Sequence, residues 1–221
     1  MLYSYCILED NGSAPNPFWG VCTLAICKPK IRKHIQIGDW IVGTGSSKYG
    51  LSNQMVYAME ITEKISFKEY DEYCRERLPE KIPVKGLTKD MRKKVGDCLY
   101  DYSTGKIIMR DWGAHQLENM KRDLSGEFVL LSDHFYYFGS KTVPLPNHLL
   151  KIVKQGQGHK SKSNAPYLEK FIEWITTFKK QKNKVNSNPY GLRLFEKEEY
   201  KSTCGKLHLI NDEADENVND E

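Results

Sequence analysis

The sequence predicts an α+β fold, in which a small mixed β-barrel is decorated with helices. Short apolar runs bounded by Gly, Pro, Asn and Asp recur along the chain, as expected for strands. A Gly38-Asp39 pair precedes the apolar run 40–42, and the Gly/Ser-rich loop 43–46 follows it at once. Charged segments with helical spacing separate the strands, so both element types belong to one fold.

The first part of the chain predicts the barrel strands. A polar loop at residues 9–17 separates the first two of them, and Pro29 prevents the second from continuing. A basic connector then leads to the Gly38-Asp39 turn. The predicted strands are residues 3–8, 20–27, 40–42 and 55–62.

The rest of the chain mixes helices and strands. Phe67, Tyr70 and Cys74 have helical spacing within a charged stretch. Asn164-Ala165-Pro166 is typical of a helix start. The predicted elements are helix 64–95, a hairpin turn at 101–106, strands 127–131 and 135–139, and helices 147–153 and 167–178.

The composition divides the chain into a domain and a charged extension. Residues 1–180 predict a single domain, and residues 181–221 an extension with an acidic, disordered tail from 211. The chain has 33 basic and 29 acidic residues, and six of the acids lie in the last eleven positions. The remainder therefore has 33 basic against 23 acidic residues, a net charge of +10. Such a surface favours polyanionic partners, among them nucleic acid.

Six cysteines invite disulfide or metal interpretations. The start of the chain lacks the features of a signal peptide, so we expect a cytoplasmic protein with reduced thiols. Cys22, Cys27 and nearby His34 lack a second ligand pair at zinc spacing. The sequence therefore predicts no metal and no cofactor. No apolar run approaches the roughly 18 residues of a membrane helix, so no membrane is expected.

The first 70 residues resemble the PUA/ASCH/EVE group of β-barrels, which bind modified or flipped bases. The resemblance is carried by segments in a shared order: residues 19–21, 37–42 with Gly45-Ser46, 56–61 and 67–70. It implies a barrel with an open mouth that reads a base.

Residues 2–180 also resemble a bacterial and phage family, nucleotide modification-associated domain, second family. The matching segments are residues 3–5, 16–20, 38–45, 135–139 and 156–159. This family is linked to DNA base modification systems, so the resemblance implies nucleic-acid or nucleotide partners, with DNA favoured. Partner proteins of a modification system are a further expectation.

A base held outside a duplex needs flat apolar walls and hydrogen-bonding groups at its edge. Phe18 and Trp19 offer walls, while residues 44–46 offer hydroxyl groups and a closely approaching backbone. Trp40 could join them, but it opens a buried strand and is more typical of a core residue. The expected base-binding residues are Asn16, Phe18, Trp19, Thr44, Gly45, Ser46, Tyr136 and Tyr137.

A phosphate site is expected in the glycine-rich segment 155–163. Alternating glycines free backbone N–H groups to surround an anion, and two lysines add charge. The spacing of a Walker A loop is absent, and a flexible basic linker is the alternative. The expected phosphate-binding residues are Gly156, Gly158, His159, Lys160 and Lys162.

Catalytic residues are less defined. Asp133, His134 and His159 are the candidates for acid–base work, and Asp111 with His115 forms a second Asp/His set. None has a recognisable hydrolase or transferase spacing. The leading hypothesis is a module that binds a modified base; the alternatives are an enzyme acting on a nucleotide or modified base, and an interaction subunit.

Overall fold

A computed structural model describes residues 1–86 and 88–193. The described part contains both strands and helices, which confirms the α+β class. The strands are β1 Leu2–Ile7, β2 Cys22–Leu24, β3 Trp40–Gly45, β4 Gln54–Glu60, β5 Glu63–Ser66, β6 Tyr100–Asp101, β7 Ile108–Met109, β8 Phe128–Ser132, β9 His134–Tyr137 and β10 Val143–Pro144. The α-helices are α1 Pro29–His34, α2 Phe67–Arg77, α3 Met120–Leu124 and α4 Leu168–Ile175.

Short 3₁₀ turns fill several connections. They lie at Ser47–Tyr49, Pro79–Lys81, Met91–Lys94, Leu117–Asn119, Asn147–Ile152, Lys162–Tyr167 and Thr176–Gln181. The helix expected at 147–153 is therefore a 3₁₀ helix. None of the helices in the described ranges is both long and apolar enough to cross a membrane.

The strands form three separate sheets. The largest has the order β1-β3-β4-β10, with β9 also paired to β4, and only the β1–β3 pair is parallel. The second has the order β2-β8-β5, and β6 pairs with β7 in a third. Across residues 1–86 and 88–193 these sheets do not close, so the expected PUA-like barrel is not confirmed. The chain instead leaves the large sheet after Glu60 and enters the second sheet as β5.

Two predicted elements are shorter than expected, each for a local reason. The strand predicted at 20–27 ends at Leu24, and Cys27 and Lys28 then take positive φ angles of 62° and 44°, which turn the chain into α1. The helix predicted at 64–95 ends at Arg77, before Pro79. Its start is fixed by a capping box in which Ser66 and Glu69 satisfy each other's backbone N–H groups.

Helix α4 packs over the large sheet and closes the core on that side. The Trp40 ring is 3% exposed and meets Phe171 of α4 edge-on at 5.7 Å between centroids. It also stacks with Tyr136 at 6.4 Å. Burying a large apolar side chain of this kind stabilises a fold by roughly 1.5–3 kcal/mol. The structure therefore places Trp40 in the core.

Residues that follow α4 lie along β9 and the first loop. The Asn183 and Asn186 N–H groups donate to the carbonyl oxygens of Phe135 and Tyr137, and the Gly191 N–H donates to that of Asp10. The part of the expected extension that is described therefore contacts the body of the protein. The acidic tail from residue 211 lies outside the described residues.

Candidate functional site

A surface groove of about 240 Å³ lies beside the loop that joins the first two strands. Trp19 stands in its wall with a φ of 68°, a left-handed conformation that is uncommon for a residue with a side chain. Its indole Nε1 is buried and has no hydrogen-bond partner among residues 1–86 and 88–193. The groove is lined by Pro17, Phe18, Trp19, Gly20, Arg92, Phe135, Asn183, Val185 and Asn188.

Arg92 contributes a second flat surface. Its guanidinium carbon lies 4.6 Å from the centre of the Trp19 ring, within the range of a cation–π contact. Asp90 orients the guanidinium through bonds of 2.8 Å from Nε and 2.7 Å from NH2. These hydrogen bonds lower the pKa of Asp90 and raise that of Arg92. The cation is therefore held in place.

Two asparagines also line the groove. Asn183 Oδ1 accepts a hydrogen bond from the Phe135 N–H at 3.0 Å, which fixes the orientation of that amide. With the amide in this orientation, the Asn183 Nδ2 group is a hydrogen-bond donor. Asn188 is exposed and also lines the groove. The groove thus combines an aromatic ring, a planar cation and amide groups.

A buried lysine supports the loop that carries Trp19. Lys81 is fully buried, and its Nζ lies 2.8 Å from the carbonyl oxygens of Asn16 and Val21 and 2.8 Å from Asn16 Oδ1. It also lies 3.0 Å from Thr23 Oγ1. One ammonium group therefore bonds the chain on both sides of Trp19.

The charge of this lysine is balanced inside the core. Asp97 accepts hydrogen bonds of 2.6 Å from both Thr23 Oγ1 and the Tyr70 hydroxyl. Burial lowers the pKa of Lys81 and raises that of Asp97, and each charge opposes the shift of the other. The network holds the loop rather than facing the groove.

Asn16, expected to bind a base, belongs to this support. Its Oδ1 accepts from the Phe18 N–H at 3.2 Å as well as from Lys81, and its Nδ2 donates to the Val95 carbonyl oxygen at 2.9 Å. The side chain is fully buried. Its amide is therefore engaged in internal bonds.

The residues at 44–46 lie apart from the lining of the groove. Thr44 is fully buried and donates to the Tyr5 carbonyl oxygen at 3.3 Å. A Cβ on Gly45 would come within 2.4 Å of Leu51 Cβ, so close packing requires glycine there. Ser46 Oγ accepts from the Lys48 N–H at 3.2 Å and caps a 3₁₀ turn.

Tyr136 and Tyr137 are also buried. Tyr136 stacks on Trp40, while the Tyr137 hydroxyl donates to Asp10 Oδ2. Of the residues expected to bind a base, the structure therefore brings Phe18 and Trp19 into the groove. The other six lie elsewhere in the fold.

The expected phosphate segment lies at the free edge of β1. Gly156 and Gly158 have φ angles of 72° and 81°, and Lys160 pairs with Ser4 through two backbone hydrogen bonds of 2.9 Å. The Lys160 Nζ donates to the Lys151 carbonyl oxygen, and the His159 ring lies 5.8 Å from that of Tyr3. Lys162 begins the next 3₁₀ helix. None of these five residues lines the groove around Trp19.

The catalytic candidates are dispersed. His134 Nδ1 lies 2.7 Å from Glu60 Oε2, and its ring packs 5.2 Å from Trp40. The adjacent Asp133 is exposed, and its N–H donates to Thr62 Oγ1. In the second set, His115 is buried while Asp111 is exposed.

Metal-binding clusters are absent from the described part of the chain. Cys6, Cys22, Cys27, Cys74 and Cys98 form no disulfide within the described residues, and Cys204 lies outside them. Arg92 lies in the basic run 92–94 of the sequence, and no sequence pattern distinguishes Asn183 and Asn188. Their positions depend on contacts with distant segments.

The fold and the groove define an α+β protein with an aromatic and cationic surface site. A family model described as nucleotide modification associated domain 2 matches residues 1–195. The chain therefore belongs to this family, as the resemblance in its sequence predicted. No curated protein and no solved structure matches the chain. The family name associates the chain with nucleotide modification.

Proposed function

We propose that the protein binds a nucleobase, in single-stranded DNA or as a nucleotide, in the groove beside Trp19. The contact of Arg92 with the Trp19 ring carries the proposal. An aromatic ring and a guanidinium plane are the surfaces on which unpaired bases stack, and each stacked base is worth about 1–3 kcal/mol. Membership of a nucleotide modification family supports the same class of ligand.

The size of the groove favours a single base over a longer ligand. Sites for drug-sized molecules have volumes of about 300–1,000 Å³. The groove, with about 240 Å³, is smaller. One base or nucleoside would occupy it, and the rest of a strand would run over the surface.

Polar groups in the groove would read the edge of the base. The Asn183 Nδ2 group is a donor, and the Asn188 amide offers both a donor and an acceptor. A substituent on the base would meet these groups, which is how a modified base would be distinguished from a plain one. The positive net charge outside the acidic tail would attract the phosphates.

Binding can be tested with calorimetry at low and moderate salt. The ligands are short single-stranded DNAs that differ only in one plain or 5-hydroxymethylated pyrimidine. We expect Trp19→Leu to lower affinity at least fivefold, since it removes a stacking surface worth about 1–3 kcal/mol. Leu117→Ala removes an exposed apolar side chain outside the groove and serves as the control.

Two results would contradict the proposal. One is an unchanged affinity in a folded Trp19→Leu variant. The other is the absence of binding by either DNA at low salt. Tighter binding of the modified DNA would support recognition of the base substituent by the polar groups of the groove.

We also propose, as a second candidate, acid–base catalysis by His134 on a bound nucleotide. Glu60 anchors its Nδ1, and its Nε2 is buried without a hydrogen-bond partner among the described residues, so this role requires the ring to turn toward the nucleotide. His134→Gln would then abolish conversion of a substrate but leave its binding intact. Equal turnover by both proteins would exclude this role.

A further inference from the structure

Three side chains from two distant parts of the chain form a buried hydrogen-bonded series. Cys27 Sγ lies 3.2 Å from His115 Nε2, and His115 Nδ1 lies 2.6 Å from Asp123 Oδ2. This is the order of nucleophile, base and orienting carboxylate found in thiol-dependent acyl transfer. We propose that Cys27, His115 and Asp123 are a catalytic triad in which the Cys27 thiolate accepts an acyl group.

The carboxylate sets the tautomer that this role needs. Asp123 accepts the proton that His115 carries on Nδ1, which leaves a lone pair on Nε2 facing the thiol. Burial alone would raise the pKa of Asp123, but the neighbouring His115, with Arg32 and Tyr100, lowers it below its usual value. Asp123 therefore acts as a positioning residue and stays ionised.

A second set of contacts makes this series rigid. The Arg32 guanidinium donates to the Cys27 carbonyl oxygen at 2.8 Å and to the Asp123 carbonyl oxygen at 2.6 Å. The Tyr100 hydroxyl donates to Asp123 Oδ2 at 2.8 Å, and the Cys27 N–H donates to Asp123 Oδ1 at 3.2 Å. The nucleophile and the carboxylate are thus tied to one another through one buried cation.

The backbone at the thiol is strained. Cys27 and Lys28 are consecutive residues with φ angles of 62° and 44°, and neither is glycine. Such conformations cost of order 1–3 kcal/mol each and cluster at functional sites. Here they turn the chain sharply between β2 and α1 and direct the thiol to His115. A structural cysteine in a strand would need no such turn.

Cys27 borders a small cleft at the surface. Cys27 is 4% exposed and lines a cleft of about 30 Å³ together with Tyr5, Cys6, Ala14 and Lys28. The Lys28 ammonium lies 4.7 Å from the centre of the Tyr5 ring. The cleft admits only the reactive end of a substrate, and its cation favours negative charge on the carbonyl oxygen under attack.

The reaction that fits is transfer of a small acyl group from an ester or thioester. His115 takes the Cys27 proton, the sulfur bonds to the acyl carbon, and the alcohol or thiol leaves with the proton from His115. A water or an amine then attacks the acyl-cysteine, giving its proton to His115 as the carbon–sulfur bond breaks. The proton returns to the sulfur, and no electrons are gained or lost.

The first experiment needs no variant. The folded full-length protein is treated with iodoacetamide, and each cysteine is followed by peptide mass spectrometry. Cys6 lines the same cleft without a histidine partner, and burial raises the pKa of its thiol. We expect Cys27 to be alkylated at least tenfold faster than Cys6. Equal or slower labelling of Cys27 overturns the proposal.

The second experiment removes the base. His115→Gln should abolish the rate advantage of Cys27, whereas His34→Gln, at an exposed position of α1, should retain it. Circular dichroism confirms that both variants are folded. S-phenyl thioacetate should add an acetyl group to Cys27 of the wild type and release thiophenol. The His115→Gln variant should show neither product. Retained labelling in folded His115→Gln, or a reactive Cys27 that forms no acyl adduct, overturns the assignment.

Discussion

The Lys81 Nζ atom lies 2.8 Å from the side-chain oxygen of Asn16, and both residues are fully buried. The same ammonium group bonds the Asn16 and Val21 carbonyl oxygens, which flank Trp19 in sequence. A charged group in the core thus sets the position of a ring at the surface. The candidate base-binding groove depends on this internal support.

Replacing Lys81 by Met should destabilise the protein by about 3–5 kcal/mol, because Asp97 and several acceptors would then be buried without their cation. Lys85→Met, at an exposed position nearby, should change stability by less than about 0.5 kcal/mol. Urea unfolding followed by circular dichroism measures both. Equal stability of the two variants would show that the buried cation is dispensable.

Asp10 should make stability depend on pH. Burial raises its pKa to about 7, although the Tyr137 hydroxyl and the Gly12 N–H oppose the rise. In the unfolded chain the pKa is about 3.9. The folded protein therefore holds more protons between these values, so this stabilising contribution is complete below about pH 4 and is lost as pH rises through about 7.

Asp10→Asn isolates this contribution, since the amide does not ionise. Unfolding free energies of both proteins are measured from pH 5 to 8. The wild type should lose stability relative to the variant by up to about 1.4 kcal/mol per pH unit, levelling off above pH 7. A difference that does not change with pH would contradict the raised pKa.

Gly45→Ala should destabilise the fold by about 1–3 kcal/mol, the usual cost of overpacking. The added Cβ would lie 2.4 Å from Leu51 Cβ and 2.9 Å from the Leu51 carbonyl oxygen. Ser47→Ala, exposed and close by, is the control. If the Gly45→Ala protein is stable but binds DNA more weakly, Gly45 belongs to the base-binding site as the sequence predicted.

Arg92→Ala should weaken DNA binding about threefold to tenfold, since it removes both a stacking plane and a charge. Arg92→Lys keeps the charge and should recover only part of the loss. Lys93→Ala removes an exposed charge from the same turn and should have a smaller effect, which disappears at higher salt. Equal losses for Arg92→Ala and Lys93→Ala would point to a purely electrostatic role.

Local patterns predicted the elements better than their assembly. The apolar run 40–42 predicted β3, and the spacing of Phe67, Tyr70 and Cys74 predicted α2, because the side chains that bury each element lie close together in sequence. The barrel was not confirmed, since closure depends on how distant strand edges pair. No local pattern records that pairing.

For the candidate sites too, the sequence indicated residue types but not their positions in the fold. Phe18 and Trp19 were marked by residue type, and they line the groove. Thr44 and Tyr137 were predicted to bind a base by the same reasoning, yet both side chains are buried in the core. A polar or aromatic residue in a strand faces either side according to the register, which the residue type alone does not set.

The sequence by itself determined the α+β class, the positions of the main strands, the basic charge outside the tail and the family to which the chain belongs. Only the tertiary structure decided that Arg92 covers Trp19 and that His115 meets Cys27, 88 positions away. Hydrophobic periodicity is a property of neighbouring residues. A site assembled from distant segments depends instead on backbone turns, such as that at Cys27, and on the packing that holds them.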